Sequence, residues 1–188
     1  MADGSHPDPA TRLTGARKAR PRDADRSAVY EAENLVRRLL DRSPEFPTVE
    51  VAGSRITLPV ERRFGSIDSV QTYIDAVLQM PAVRQRWPER AALPCTVRER
   101  RGSGEAHYEY FSAVIAVPTA MSSRRGTAWA MRELVVLHEL AHHLVGESEM
   151  FHGKAFRGSL LDLVELLIAP ELRLLLLVTY ADVGINPV

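Results

Sequence analysis

Apolar side chains recur at regular spacings along the chain, and the spacing changes from one stretch to the next. Five stretches show the three- and four-residue repeat of amphipathic helices, and they lie near residues 27–41, 66–80, 127–146, 153–169 and 170–184. Five shorter stretches alternate or are continuously apolar, as strands are, and they lie at 48–52, 55–60, 95–101, 105–110 and 113–117. The helices and strands do not alternate regularly, so their order predicts an α+β domain.

Turn residues between the strands predict how some of them connect. Gly53-Ser54 stands between two strands, and it predicts a hairpin with a two-residue type II′ turn. Gly102-Ser103-Gly104 follows the strand at 95–101 and is expected to turn the chain back. Residues 105–110 and 113–117 read as one kinked strand or as two short strands.

The helix predicted at 127–146 is apolar nearly all round, which is typical of a buried central helix. Thr127 can cap its start and Gly146 can end it. The same helix carries His138, Glu139 and His142. Ionisable side chains on a buried helix are costly unless they have partners, and a metal ion would supply one.

The spacing of these residues favours a zinc site of the His-Glu-x-x-His type. His138 and His142 are four positions apart, which on a helix is about 40° of rotation and about 6 Å of rise, so both imidazoles leave one face. Glu139 points about 100° away from His138. It is therefore expected beside the metal, where a general base for an attacking water belongs.

A second motif, His152-Gly153-Lys154-Ala155-Phe156, follows the helix. Together the two motifs resemble a minimal zincin metalloprotease domain, and they are similar to the SprT-like zincins and to short metallohydrolases of high-GC actinobacteria. The segment 28–33 also looks like the start of those short proteins. The resemblance implies a small mixed sheet packed on the active-site helix, with zinc (Zn2+) held by His138, His142 and His152. The chain lacks the cysteine-rich ribbon of SprT itself, and His152 comes too late for the longer metzincin motif.

Several assignments stay open at this level. Glu147, Glu149 and Glu165 are the rivals of His152 for the third ligand position, and His143 is expected behind the site or partly exposed. A reacting carbonyl also needs a hydrogen-bond donor for its oxyanion. The candidates are Tyr108, Tyr110, His107 and Tyr180.

Composition limits the other possibilities. The chain has 188 residues, 45% of them hydrophobic, and a formal net charge of zero, which describes one ordinary globular domain and gives no overall basic excess for nucleic acid. A single cysteine, Cys95, excludes an internal disulfide and fits a reducing, cytoplasmic compartment. No signal peptide or membrane span is predicted.

The first 25 residues differ from the rest of the chain. They are rich in Gly, Pro and charged residues and nearly free of apolar side chains, which predicts a disordered N-terminal tail followed by a domain over 26–188. The tail is locally basic, and an interaction with nucleic acid is therefore the alternative to a purely solvated tail.

These observations lead to one main functional hypothesis, a zinc metallopeptidase in which Glu139 takes a proton from the attacking water. Ala113–Val117 is expected to be the edge strand that pairs with an extended peptide. An open cleft along this strand favours a peptidase, whereas a narrow closed pocket favours a hydrolase of a small non-peptide amide. A non-catalytic DNA- or protein-binding domain stabilised by zinc is the third possibility.

Overall fold

The computed structural model describes residues 23–102, 104–119, 129–146 and 151–186, and this part of the chain has the predicted α+β class. It contains seven helices and five strands. In chain order they are α1 (Arg26–Arg42), β1 (Thr48–Val51), β2 (Ser54–Thr57), α2 (Ile67–Gln79), α3 (Pro81–Arg86), α4 (Pro88–Ala91), β3 (Thr96–Arg100), β4 (His107–Glu109), β5 (Val114–Pro118), α5 (Glu133–Val145), α6 (Lys154–Leu167) and α7 (Pro170–Asp182).

The predicted central helix is α5, and twelve of its residues are buried. It packs against α6, α4 and β4. It begins at Glu133 with Arg132 as its N-cap residue, later than a cap at Thr127 would require, and Thr127 itself lies outside the described residues. Gly146 ends the helix as predicted, because its φ of 78° is accessible to glycine at little cost.

β1 and β2 form the predicted hairpin, with Val49 opposite Ile56. The turn residues are Ala52 and Gly53, not Gly53 and Ser54, because Ser54 already pairs with Val51. Both turn residues have positive φ, 48° and 78°, which is the type I′ pattern in place of the predicted type II′. The turn is therefore one residue earlier than expected, and the pairing differs by two residues, since Val49 lies opposite Ile56 and not opposite Leu58.

The three-stranded sheet has the order β3-β5-β4, with β5 parallel to β3 and antiparallel to β4. The prediction that Ala113–Val117 forms an edge strand is therefore wrong. β4, the strand that directly follows β3 in the chain, pairs with β5 and not with β3. β5 is a continuous apolar run, which suits a strand with neighbours on both sides. β4 alternates polar and apolar residues and is an edge strand of this sheet.

The remaining helices bring distant parts of the chain to α5. α1 packs against α7, and α7 packs against α6, which in turn lies on α5. The largest fully buried side chains include Tyr180 on α7 and Phe156 on α6. Within the described ranges every helix is too short or too polar to cross a bilayer.

Candidate metal centre

α5 carries two histidines on one buried face. His138 and His142 are one helical turn apart, and their ring centroids are separated by 5.0 Å. Both side chains are buried. Buried imidazoles need partners for both ring nitrogens, because an unsatisfied polar group in the core costs free energy.

A third histidine reaches the same place from the start of the next helix. His152 is buried and precedes Gly153, the N-cap residue of α6. Its Nε2 atom lies 3.3 Å from Nε2 of His138. One ligand atom from each of the three histidines lies within 4.8 Å of the others, so this cluster could hold a metal ion. Phe156, itself buried, contacts all three rings with centroid distances of 4.3–4.8 Å.

Each histidine uses its outer nitrogen, Nδ1, for a contact with the protein. The Nδ1 atoms of His138 and His152 lie 2.8 and 2.5 Å from the carboxylates of Glu33 and Asp23. Nδ1 of His142 lies 3.1 Å from the hydroxyl of Tyr110. A carboxylate accepts the Nδ1–H, so the hydrogen is on Nδ1 and the inner nitrogen, Nε2, is left with its lone pair.

The spacing of the inner nitrogens fits a shared ion. Two lone pairs that face each other at 3.3 Å repel unless a positive charge lies between them. Two nitrogens bound at about 2.0–2.1 Å to one tetrahedral ion are about 3.3–3.4 Å apart. Imidazole suits zinc, copper, iron and nickel, so the donor set fits a transition metal without choosing among them.

The carboxylate behind His138 is charged although it is fully buried. Burial favours a higher pKa for Glu33, but the charge and hydrogen bond of His138, together with Arg37, hold this pKa below its usual value. In return, Glu33 raises the pKa of His138 against the effect of burial. A carboxylate in this position orients the ring and makes it a stronger ligand.

Glu139 lies beside the three histidines and lines the same cleft. It is not one of the three residues whose ligand atoms converge. Its carboxylate accepts a hydrogen bond from the backbone N–H of Tyr108, while burial, reinforced by the charge of Glu33, raises the pKa of Glu139 to about 7. A carboxylate with a pKa near neutrality can both take up and return a proton.

His143, the neighbour of His142, belongs to a different environment. It is completely buried, with Nδ1 3.0 Å from the Tyr108 hydroxyl and Nε2 3.1 Å from the Arg90 carbonyl oxygen. Burial and the nearby charge of Arg90 lower the pKa of His143 to about 4, so the ring is neutral. It points away from the metal cluster, as expected from the helix, but it is not partly exposed.

The rival ligand Glu165 does not approach the cluster. It lies on α6 with its side chain 52% exposed, and it pairs with Arg173 at 3.1 Å. Glu147 and Glu149 lie outside the described residues. Among the described residues the predicted set His138, His142 and His152 is the one whose ligand atoms converge.

The cluster opens into a surface cleft of about 730 Å³. The edge strand β4 forms one wall of this cleft through His107 and Tyr108, and α1 contributes Arg26 and Tyr30. The cleft is open to solvent and lies along β4, not along Ala113–Val117 as the sequence suggested.

The structure separates the candidate donors for an oxyanion. The hydroxyl of Tyr108 is engaged with His143 and Arg90, and Tyr180 is completely buried and does not line the cleft. His107 and Tyr110 do line it. Tyr30, absent from the sequence-based candidates, also lines it, and its ring stacks on His138 with centroids 5.3 Å apart.

Sequence reasoning missed three residues that surround the histidines, namely Asp23, Tyr30 and Glu33. Glu33 left a signal, because it falls on the apolar face of α1 defined by Val29, Ala32 and Val36. A charged residue at a core-facing position needs a buried partner. Asp23 left none, since it lies in the stretch assigned to the tail, of which residues 1–22 lie outside the described part.

Comparisons of this chain with protein-family models, with curated proteins and with solved structures found no match.

Proposed function

We propose that this protein is a zinc-dependent hydrolase, most simply a metallopeptidase. The observation that carries the proposal is the convergence of one ligand atom from each of three histidines, next to Glu139 and at an open cleft. Three protein ligands leave a fourth position for water or substrate, which is the pattern of catalytic zinc sites rather than structural ones. When bound, such an ion supplies Lewis acidity, polarising a carbonyl and making water a stronger acid.

The residues of the chain have defined roles in this proposal. His138, His142 and His152 hold the ion, and Glu33, Tyr110 and Asp23 fix the orientation of their rings. Glu139 removes a proton from water as the water oxygen attacks the carbonyl carbon. The same carboxylate then delivers this proton to the amine nitrogen as the carbon–nitrogen bond breaks, so that water is consumed and Glu139 is restored.

Tyr30 is the donor we assign to the developing oxyanion. It lines the cleft and stacks on a proposed ligand, and its hydroxyl has no hydrogen-bond partner among the described residues. Burial and the charges of Glu139 and Glu33 raise the pKa of Tyr30, so the phenol keeps its proton. Removal of one such donor typically lowers kcat by about 100- to 1,000-fold.

A peptide is favoured as substrate because the cleft is open and β4 forms one wall. β4 pairs with β5 on one side only within the described part of the sheet. Extended peptides add to free strand edges through their main chain.

The test combines metal analysis with a cleavage screen. Purified protein is loaded with zinc, assayed for metal by elemental analysis and incubated with a broad peptide library. We expect about one zinc per chain, as one three-histidine site requires, and cleavage that is lost in Glu139→Gln while the metal is retained. Absence of bound transition metal would refute the proposal, and bound metal without turnover would favour a non-catalytic, zinc-stabilised protein.

A further inference from the structure

One end of the cleft has an unusual concentration of aromatic side chains. Tyr30, Tyr108, Tyr110 and Phe151 all line it, although aromatic residues make up only 6% of the chain. Aromatic side chains offer large apolar contact areas at a low cost in conformational entropy. Their enrichment here therefore bears on what the cleft binds.

The aromatic surface begins at the metal cluster itself. The hydroxyl of Tyr110 lies 3.1 Å from Nδ1 of His142, and the ring of Tyr110 packs edge-to-face on Phe151 with centroids 5.7 Å apart. Phe151 in turn precedes His152 in the chain. A substrate side chain that contacts Tyr110 and Phe151 would lie next to the group bound at the metal.

Two phenylalanines of this region are exposed to solvent. Phe151 is 44% exposed, and Phe111, which directly follows Tyr110, is 97% exposed. Phe111 is not among the described residues that line the cleft, and a single exposed apolar residue needs no explanation. Phe151 lines the cleft and packs on Tyr110, and contiguous exposed aromatic surface of this kind is typical of binding surfaces. We call Tyr110 and Phe151 the aromatic rim.

The charges in the cleft do not select for a charged ligand. Arg26 and Arg100 are balanced by Asp23 and Glu105 among the lining residues. Arg26 lies over the ring of Tyr30, Arg100 donates to the backbone oxygen of Glu105, and Asp23 bonds to His152. Arg26, Arg100 and Asp23 are thus engaged with the protein, and Glu139, which also lines the cleft, is the proposed general base. We therefore expect the apolar contacts to dominate the choice of side chain.

We propose that the aromatic rim recognises a large apolar side chain, so that the substrate is an extended peptide with a leucine- or phenylalanine-like residue next to the cleaved bond. This inference rests on the proposed function, since it assigns a specificity to the same site. Contacts of this kind discriminate by about 10- to 200-fold per methylene-sized difference. We therefore expect at least about tenfold preference for such a residue over glycine or aspartate.

Peptide hydroxamates test this surface without requiring turnover. Zinc-loaded protein is titrated with four hydroxamates that differ only in one side chain, namely that of leucine, phenylalanine, glycine or aspartate. The first two should bind at least about tenfold more tightly. Phe151→Ser should reduce this ratio with zinc content unchanged. Phe46→Ser is the matched control, because Phe46 is 53% exposed and is not among the described residues that line the cleft.

The outcomes separate this inference from the proposed function. Equal affinity for all four hydroxamates, or a preference unaltered in Phe151→Ser, overturns the aromatic rim even if peptides are cleaved. A preference that disappears in Phe151→Ser but not in Phe46→Ser supports the rim even if no peptide is cleaved, and only the peptidase proposal then fails. If no hydroxamate binds to the zinc-loaded protein, both are wrong.

Discussion

The two ends of helix α5 carry buried polar clusters of opposite construction. At the N-terminal end, Arg132 and Glu133 are held by oppositely charged side chains from other parts of the chain. At the C-terminal half, His138 and His142 meet His152, and carboxylates or a hydroxyl lie against the outer nitrogens of these rings. The first cluster connects distant parts of the chain, and the second could hold a metal ion.

The N-terminal cluster is built from opposite charges in direct contact. The carboxylate of Glu133 accepts hydrogen bonds from the backbone N–H and the guanidinium of Arg62 and from the Tyr73 hydroxyl, the last at 2.7 Å. Arg132 pairs with Glu61 and with Asp41. Glu61 also accepts from the backbone N–H of Leu134 at 3.3 Å, which satisfies a donor at the start of the helix.

The histidine cluster differs because the atoms that converge in it are all imidazole nitrogens. Nε2 of His138 and Nε2 of His152 face each other at 3.3 Å. Because the Nδ1 atom of each ring faces a carboxylate, a hydrogen bond between these two atoms would require one of the rings to be positively charged. Buried polar atoms that converge without satisfying one another call for a ligand, whereas those that pair call for none. The comparison thus predicts that substitutions in the histidine cluster change metal affinity. Substitutions in the N-terminal cluster of α5 should change only the stability of the protein.

The largest effect is expected from removing the third ligand. His152→Ala should lower zinc affinity by more than the 10- to 100-fold that loss of an outer partner costs, because two histidines hold the ion poorly. Glu165→Ala is the control and should keep the metal, since Glu165 is exposed and pairs with Arg173. Competition with a chelating dye measures both. Zinc retained without His152 and lost without Glu165 would instead make Glu165 the third ligand.

The next effect concerns the other end of α5 and should leave the metal untouched. Arg132→Met removes one partner of a buried ion pair, which typically costs about 3–5 kcal/mol of unfolding free energy. Arg63→Met is matched to it, because Arg63 pairs with the same carboxylates, Asp41 and Glu61, but its side chain is 45% exposed against 3% for Arg132. Its loss should cost about 1 kcal/mol or less.

Urea unfolding at saturating zinc measures the two arginine variants, and dye competition measures their zinc affinity. Equal destabilisation by Arg132→Met and Arg63→Met would mean that burial does not distinguish the two pairs. A fall in zinc affinity in either variant would mean that the two ends of α5 are coupled, and the contrast between them would then be lost.

The third effect comes from the carboxylates behind the ligands. Glu33→Gln should weaken zinc binding by about 10- to 100-fold, because a neutral amide neither enhances the basicity of His138 nor fixes its ring as firmly. Asp23→Asn should have a smaller effect, since the Asp23 side chain is 17% exposed whereas that of Glu33 is fully buried. Isothermal titration of the metal-free variants distinguishes them, and an effect of Asp23→Asn equal to that of Glu33→Gln would contradict this order.

Truncation tests the same contact in another way. A chain that begins at Asp23 should bind zinc like the full chain. A chain that begins at Arg26 lacks the contacts of Asp23 with His152 and of Asp25 with Arg157, and it should bind zinc more weakly. Of the tail predicted over residues 1–25, we therefore expect only residues 1–22 to be dispensable for folding and for the metal. Loss of zinc from the longer of the two chains would contradict it.

The parts of this site that depend on residues close together in the chain could be predicted from the sequence, whereas the contacts between distant residues could not. His138 and His142 follow from helical periodicity, and the convergence of His152 with them was expected from the motif that it opens. Glu33 could have been recognised as a charge on an apolar face, but its partner lies 105 positions away. Nothing local in the sequence indicates that Asp23 reaches a ring 129 positions further along.

The same distinction explains the errors in the fold. Helix bounds were predicted well, because caps such as Ser66 and breakers such as Gly146 act within one turn. The start of α5 was misjudged because its first N–H groups are satisfied by distant residues. The N–H of Glu133 donates to the backbone oxygen of Arg62, and the N–H of Leu134 donates to Glu61, a residue 73 positions before it. The predicted edge position of β5 was also wrong, because β5 is central only through its pairing with both β3 and β4, which its own residues do not reveal.

The smallest effect is expected from replacing either of two tyrosines on and just after β4, and it tests the comparison most directly. The hydroxyls of Tyr108 and Tyr110 lie 3.0 and 3.1 Å from Nδ1 of His143 and His142, which are adjacent on α5. Tyr110→Phe removes the partner of a proposed ligand, so zinc affinity should fall, by about 10-fold if it follows other outer partners. Tyr108→Phe removes the partner of a histidine outside the cluster, so zinc affinity should not change, while the unfolding free energy should fall by about 1 kcal/mol. Both replacements keep the aromatic ring, and zinc titration and urea unfolding on the same samples separate the two effects. If Tyr108→Phe lowered zinc affinity as much as Tyr110→Phe, His143 would have to be counted as part of the metal centre.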